Sequence, residues 1–345
     1  MNRSRSEPSE KQKLRMTVAD YKKPAWQKAI TLLIMTAPCV VVLLAAIRFS
    51  TSPHRGEWPY ILTCALFLIV GIKARMYGIS LGFHRGLTHK SYETHDWLRG
   101  TFLALGCASI QGEPVRWATD HVEHHRHADK DEDPHSPEHG FWHAHWGWLI
   151  ESNFEREVNP IFKKDKLAMF ISKWTWVWAA LGLAIPAAVG ALVGIGWWDG
   201  LLWGGGVAIF FANQGTYWVN SGAHTFGRRD FDTDDRSTNF WLKGPLGYPI
   251  SLFLAWMTCG ETNHNNHHAI GHAANHGMFK GQFDPSARAL RLMEKIGLVW
   301  NVRWVSPEEA ERRQRELTMT PEERKAEALR IHRERQAEKV PAGVA

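Results

Sequence analysis

Four stretches of the chain are apolar over a length that matters: KAITLLIMTAPCVVVLLAAIRF (28–49), PYILTCALFLIVGIKARMYGIS (59–80), WTWVWAALGLAIPAAVGALVGIG (174–196) and LLWGGGVAIFFANQGTYWVN (201–220). Each carries charge only near its ends, and a bilayer core asks for about 20 apolar residues in a helix. Trp or Tyr flanks or punctuates all four, as expected where an amphipathic ring sits among headgroups. They predict four transmembrane helices rather than the buried helices of a soluble core. Short links join the first run to the second and the third to the fourth, so the runs pair into two hairpins, 28–80 and 174–220.

Everything else then falls on one side of the membrane: an N-terminal segment (1–27), two blocks of a helical cap (81–173 and 221–305) and a charged tail (306–345). Lys22, Lys23 and Lys28 precede the first run, and Lys73 and Arg75 close the second. By the positive-inside rule that side is cytoplasmic. Two shorter apolar stretches, 97–112 and 245–260, suit interfacial or re-entrant helices better than spans. The segment 307–340 has a solvated, charge-laced helical pattern interrupted by Pro321 and is expected to be a mobile tail.

Composition changes this picture in one respect. The 345 residues include 18 Trp and 19 His, and the histidines crowd into the predicted cap. The net charge of +6 does not indicate nucleic acid, because the basic residues are mostly juxtamembrane or in the tail, where anionic lipid is the nearer partner. Cys39, Cys64, Cys107 and Cys259 show no paired spacing, so neither a disulfide framework nor a thiolate metal site is indicated.

The histidines form HRGLTH (His84, His89), HVEHH (His121, His124, His125) and HNNHH (His264, His267, His268). The i, i+3, i+4 spacing of the second and third places three imidazoles on one helical face, a half-site for a metal. A histidine-only site favours a transition ion over Mg²⁺ or Ca²⁺, which want oxygen. So many ligands exceed the capacity of one ion and imply two. Zinc remains open, although four protein ligands would close each zinc into a structural site, whereas two irons with open positions leave room for dioxygen. In NSGAH, at the end of the fourth run, Asn220 and His224 are i, i+4, and Asn213 and Thr216 extend a polar stripe toward the same place.

HRGLTH, WATDHVEHH, WVNSGAH and GETNHNNHH, in this order between two hydrophobic hairpins, closely resemble the membrane-bound acyl desaturases of the stearoyl-CoA, Δ9 type, over about residues 60–305. The resemblance implies an all-α membrane enzyme whose cap holds two Fe ions. Their ligands would be His84, His89, His121, His124, His125, His224, His264, His267 and His268, with Asn220 acting through a water. Such an enzyme introduces a double bond into a saturated long-chain acyl group, on coenzyme A or on a membrane lipid, using O2 and two electrons. Here the electrons would come from a separate ferredoxin, rubredoxin or cytochrome b5-like donor.

Gln111, Trp117 and Thr216 match positions that line the bend of the family's acyl tunnel. Trp142, Trp146 and Trp148 are candidate wall residues. The residues by which animal members grip coenzyme A are replaced by Thr119, Gly112, Ser152 and Asn153, which leaves Arg116 or Arg126 to substitute, or a lipid-borne acyl chain as substrate. His127, His135, His139, His143, His145, His272 and His276 match no ligand position and are expected near the metals or on the surface. The continuation AIGHAANHG looks like bacterial members, which implies a bacterial inner membrane with the site facing the cytoplasm. A hydroxylase or ketolase on the same scaffold is the nearest alternative. A histidine-rich metal transporter or sensor is the alternative of another class, disfavoured because the clusters sit beyond the helix ends rather than at mid-membrane depth.

Overall fold

The computed structural model describes residues 25–151 and 157–320 together with positions 322, 323, 326, 329 and 330. Most of the N-terminal segment, the headgroup positions Ser152 and Asn153 and the Pro321 break therefore lie outside the described residues. Helix α1 (Ala25–Thr51) follows the first apolar run. Helix α2 (Trp58–Tyr77) starts at a proline-bearing first turn and continues without a break as a π-helix, Gly78–Thr88. The expected boundary between hairpin and cap at 80/81 thus falls inside one continuous helix, which contains His84 and ends just before His89.

The short apolar stretches form α3 (Asp96–Cys107) and, later in the chain, a second short helix. Between them come α4 (Pro114–His127), α5 (Lys166–Lys173) and α6 (Thr175–Leu192). The fourth apolar run begins as a π-helix, Gly200–Val207, and passes into α7 (Ala208–Ser221). Then follow α8 (Gly244–Met257), α9 (His264–Ala269), α10 (Pro285–Lys295) and α11 (Pro307–Thr318). Among the described residues three helices are long and apolar enough to cross a membrane, Ala25–Thr51, Trp58–Thr88 and Thr175–Leu192. The fourth run is helical but divided between π and α geometry, and most of its π segment is buried.

Two arginines bind the hairpins together. Arg48 of α1 meets Asp199 through two hydrogen bonds, 2.7 and 3.0 Å. Arg75 is buried, and its guanidinium donates to the carbonyls of Gly71, Ala108, Gly182 and Gly204 at 2.7–3.0 Å. Lys73 lies over the Trp256 ring, 4.1 Å from its centroid. Lys73 and Arg75 are therefore inter-helix ties rather than headgroup contacts, because buried carbonyls and an aromatic face satisfy their donors.

Below the histidines, Phe83, Leu103, Val115, Phe162 and Ile171 pack into one core that fixes α3, α4 and α5 against the π-helix. Gly78 sits so close to α3 that a Cβ there would overlap the backbone of Leu105 and Gly106. The only described sheet pairs β1 (Glu93–Thr94) with β2 (Val299–Trp300), antiparallel with Glu93 opposite Trp300, and ties the later chain to the segment just past His89. The start of the expected mobile tail is docked instead. Ala310 is fully buried, and Leu317 packs with it against Phe231, Ile270 and Met278. Spacing i, i+7 puts both on one face of α11.

Candidate metal centre

His84 and His89 are five residues apart, which on an α-helix means about 500° of rotation and divergent side chains. The π-helix removes that problem. The N–H of His89 bonds to the carbonyl of His84 at 3.0 Å, an i→i+5 turn that brings both imidazoles to one face. On α4 and α9 ordinary α-helical rotation does the work. Positions i and i+4 differ by about 40° and so point together, while i+3 points about 60° to the other side.

The outcome is a division of the histidines into two groups. His84, His89, His121, His125 and His267 form one, and His124, His224, His264 and His268 form the other, with the ligand atoms of each group within 4.8 Å of one another. The facing atoms are Nε2. In the first group His84 and His267 approach to 2.9 Å, His89 and His121 to 3.1 Å, and His125 and His267 to 2.7 Å. In the second, His224 and His264 stand 3.0 Å apart, His264 and His268 3.0 Å, and His124 and His268 3.3 Å. With five such nitrogens converging in one group and four in the other, each group suits a cation that the lone pairs can share. The groups are neighbours, with the His125 and His268 rings 4.5 Å apart.

The opposite ring nitrogens face carboxylates. His124 Nδ1 is 2.9 Å from Asp133, His268 Nδ1 2.9 Å from Asp235, and His224 Nδ1 2.9 Å from Asp129. His84 Nδ1 is 2.8 Å from Glu261, which His276 also approaches at 3.1 Å. A carboxylate at Nδ1 keeps the proton there and leaves Nε2 as a donor. Glu261 is anchored in turn by Arg85, fully buried and 3.2 Å away, which also pairs with Asp284 at 3.0 Å.

Electrostatics agree with neutral inner rings. Burial and then mutual repulsion hold His89, His121, His125, His264, His267 and His268 well below the ordinary histidine value. Burial pushes the same way at His124, but the Asp133 carboxylate outweighs it and raises that ring. Burial opposes ionisation of Asp133 and Glu261, yet the adjacent His124 and His84 respectively keep both below the usual carboxylate range. His135, beside His124 with ring centroids 4.3 Å apart, is driven by burial down to about 3.

A cavity of about 790 Å³ is lined by His121 and Asn220 together with Gln111, Trp117, Trp148 and Thr216. Gln111 Nε2 donates to Asn213 at 3.0 Å and to Thr216 at 2.9 Å, and Trp117 stacks on His121 at 5.0 Å. Just before Gln111, Ile110 also lines the cavity with φ of 58°, a costly left-handed conformation for a β-branched residue. Trp142 and Trp146 are exposed and do not line this cavity, because the π-turn His143–Gly147 turns Trp148 inward and leaves them outside.

Thr119 is buried, its hydroxyl donating to the Val115 carbonyl at 2.7 Å and accepting from the Asn159 N–H at 3.1 Å. Arg126 is an exposed partner of Glu123, while Arg116 lines the cavity. Among the histidines without a ligand position, His135, His145 and His276 are buried and His272 is exposed. Sequence reasoning missed the four carboxylates. A usable signal existed: Asp129 and Asp133 directly follow the second cluster, and Glu261 stands in GETNHNNHH.

Residues 56–277 match the family described as fatty acid desaturase. The sn-1 stearoyl-lipid 9-desaturase of Anabaena variabilis is 34% identical over 74% of this chain and 88% of its own length. The hex-5-enoyl-[acyl-carrier protein] acetylenase of Moorena producens (strain JHB) is 33% identical over 71% and 79%. The acyl-CoA C20 Delta5-desaturase of Anemone leveillei is 32% identical over 73% and 76%. With most of its length matched to the family and relatives at about a third identity, the chain belongs to the fatty acid desaturase family and is a membrane oxidoreductase of fatty acyl chains.

Proposed function

We propose that the two histidine groups each hold one iron, with Asn220 reaching the nearer ion through a water, and that the enzyme introduces a cis Δ9 double bond into a saturated acyl chain lying in the cavity. The observation that carries this proposal is the division of nine convergent Nε2 atoms into two adjacent groups, one of whose rings, His121, lines a cavity together with Gln111, Trp117, Thr216 and Trp148. The donor set fits iron: nine imidazole nitrogens, four of them on rings whose opposite nitrogen meets a carboxylate. When bound, the ions supply, with dioxygen and two electrons from a separate donor protein, the oxidising power that an unactivated C–H bond demands.

The chain's own residues do the remaining work. Trp117 stacked on His121 walls the ligands from bulk water and gives the acyl chain an apolar face. The Gln111–Thr216 hydrogen bond pins the cavity wall and fixes the direction of the chain, so that one pair of methylenes is presented. The basic residues near the first run support a cytoplasmic site in a bacterial inner membrane.

Expression in a heterologous host with fatty-acid profiling tests the proposal. A loss of 2 Da from the acyl chain, two elements of hydrogen, is expected, with iron near two per chain in protein purified without metal stripping. A gain of 16 Da would mark a hydroxylase on the same scaffold instead. One zinc and no iron would overturn the centre.

A further inference from the structure

We propose that the substrate is the acyl chain of a membrane lipid with an uncharged, hydroxyl-bearing headgroup, and that it enters the cavity sideways from the bilayer past α1. This rests on the desaturase function proposed above and specifies the carrier.

The first observation is which element walls the cavity. Thr31, Ile34, Met35 and Pro38 of α1 form one side. That helix buries only Ala45, and Ile34 is itself 40% exposed. The wall of the cavity and the lipid-facing surface of the protein are therefore one helix thick. Pro38 lies within this wall, where it removes a backbone hydrogen bond and locally weakens the helix. An acyl chain already in the bilayer has only to part α1 from its neighbours, with no transfer through water.

The second observation is charge. Among the described residues lining the cavity the carboxylates and basic side chains besides histidine are Glu113, Arg116, Asp120 and Glu157, three carboxylates to one guanidinium. Glu157 also meets Lys163 at 3.5 Å. A polyphosphate carrier such as coenzyme A wants charge-assisted donors and would here meet more carboxylate than cation. The hydroxyl of Thr119 is already engaged by Val115 and Asn159, and Gly112 has no side chain. Glu113 and Glu157 line the cavity and are exposed; such carboxylates accept hydrogen bonds from hydroxyl groups, so a glycosyl or glycerol headgroup is the chemistry they match.

The test uses membranes of a host expressing the full chain, with the host's own electron carriers. They are supplied with deuterated stearoyl chains as stearoyl-CoA, as an uncharged distearoyl glycolipid or as distearoyl phosphatidylglycerol. Intact-lipid mass spectrometry should find deuterium loss on the glycolipid at least about tenfold faster than on the other two, before label reaches the thioester pool. Glu113→Lys with Glu157→Lys should reverse that preference by a similar factor, and Met35→Trp should slow the glycolipid reaction. Faster reaction on stearoyl-CoA or on the anionic lipid overturns the proposal while leaving the desaturase intact. So does desaturation of the host's own acyl chains with no label lost from any of the three. If neither labelled nor host chains are altered, the desaturase function itself fails.

Discussion

Glu261→Gln is the most informative single change. The carboxylate is 5% exposed and is approached by His84 Nδ1 at 2.8 Å, His276 Nδ1 at 3.1 Å and Arg85 at 3.2 Å, with the Ser80 hydroxyl donating to it as well. Removing one member of a buried ion pair costs about 3–5 kcal/mol. Arg85 keeps Asp284 at 3.0 and 3.1 Å, so the lower end, about 3 kcal/mol, applies. For a chain of 345 residues, at about 2.1 cal/mol/K of unfolding entropy per residue, that shifts the melting temperature by roughly 4 °C. Loss of the carboxylate behind His84 should also weaken metal retention about 10–100-fold. The assay is iron retained across a chelator series on detergent-solubilised protein, beside a thermal melt. Asp235→Asn serves as comparison, because Asp235 is 14% exposed and supports His268 with no arginine paired to its carboxylate among the described residues; it should lose metal affinity with a much smaller melting shift. If Glu261→Gln melts with the parent protein and holds iron equally well, the claim that this carboxylate orients His84 is refuted.

Other expectations follow from the same packing. In chelator-treated protein, the lowered rings of His89, His121, His125, His264, His267 and His268 take up protons on unfolding. Their contribution is full above about pH 6.5 and is lost as pH falls, opposed only by the raised His124, so the melting temperature should drop from pH 7 to pH 5; a flat profile would contradict this. Below about pH 4 the depressed Asp133 and Glu261 add to the loss as they protonate. Gly78→Ala must separate the π-helix Gly78–Thr88 from α3 at backbone level, costing about 1–3 kcal/mol, measurable as a lowered melting temperature with reduced iron. Ala310→Asp places a short carboxylate in a fully buried position, costing several kcal/mol, and limited proteolysis should then cut near residue 306 before any other described segment.

The histidines were legible because metal ligation leaves a spacing signature on helices, and the apolar runs because a bilayer imposes length. Their division between two sites was not, since it depends on α4 and α9 facing each other so that the i+3 ring of each joins the i, i+4 pair of the other. The π-turn joining His84 to His89 was equally hidden: five-residue spacing says nothing until i→i+5 bonding is seen. The carboxylates escaped notice because Asp129, Asp133 and Asp235 sit in loops without periodicity. Arg75 looked juxtamembrane because sequence shows where a charge falls along a run but not the four carbonyls that enclose it. The docking of α11 was masked by its charged majority, since only Ala310 and Leu317 mark its inner face.

The interlocked division of α4 and α9 has a thermodynamic consequence. Each helix lends ligands to both groups, His121 and His125 with His124 on one, His264 and His268 with His267 on the other. Filling either group first would immobilise the two helices that build its neighbour, so the ordering entropy is spent largely on the first ion. The second then binds a prearranged site, and by linkage the help is mutual. Metal uptake should be steep, with chains carrying a single ion scarce throughout the titration.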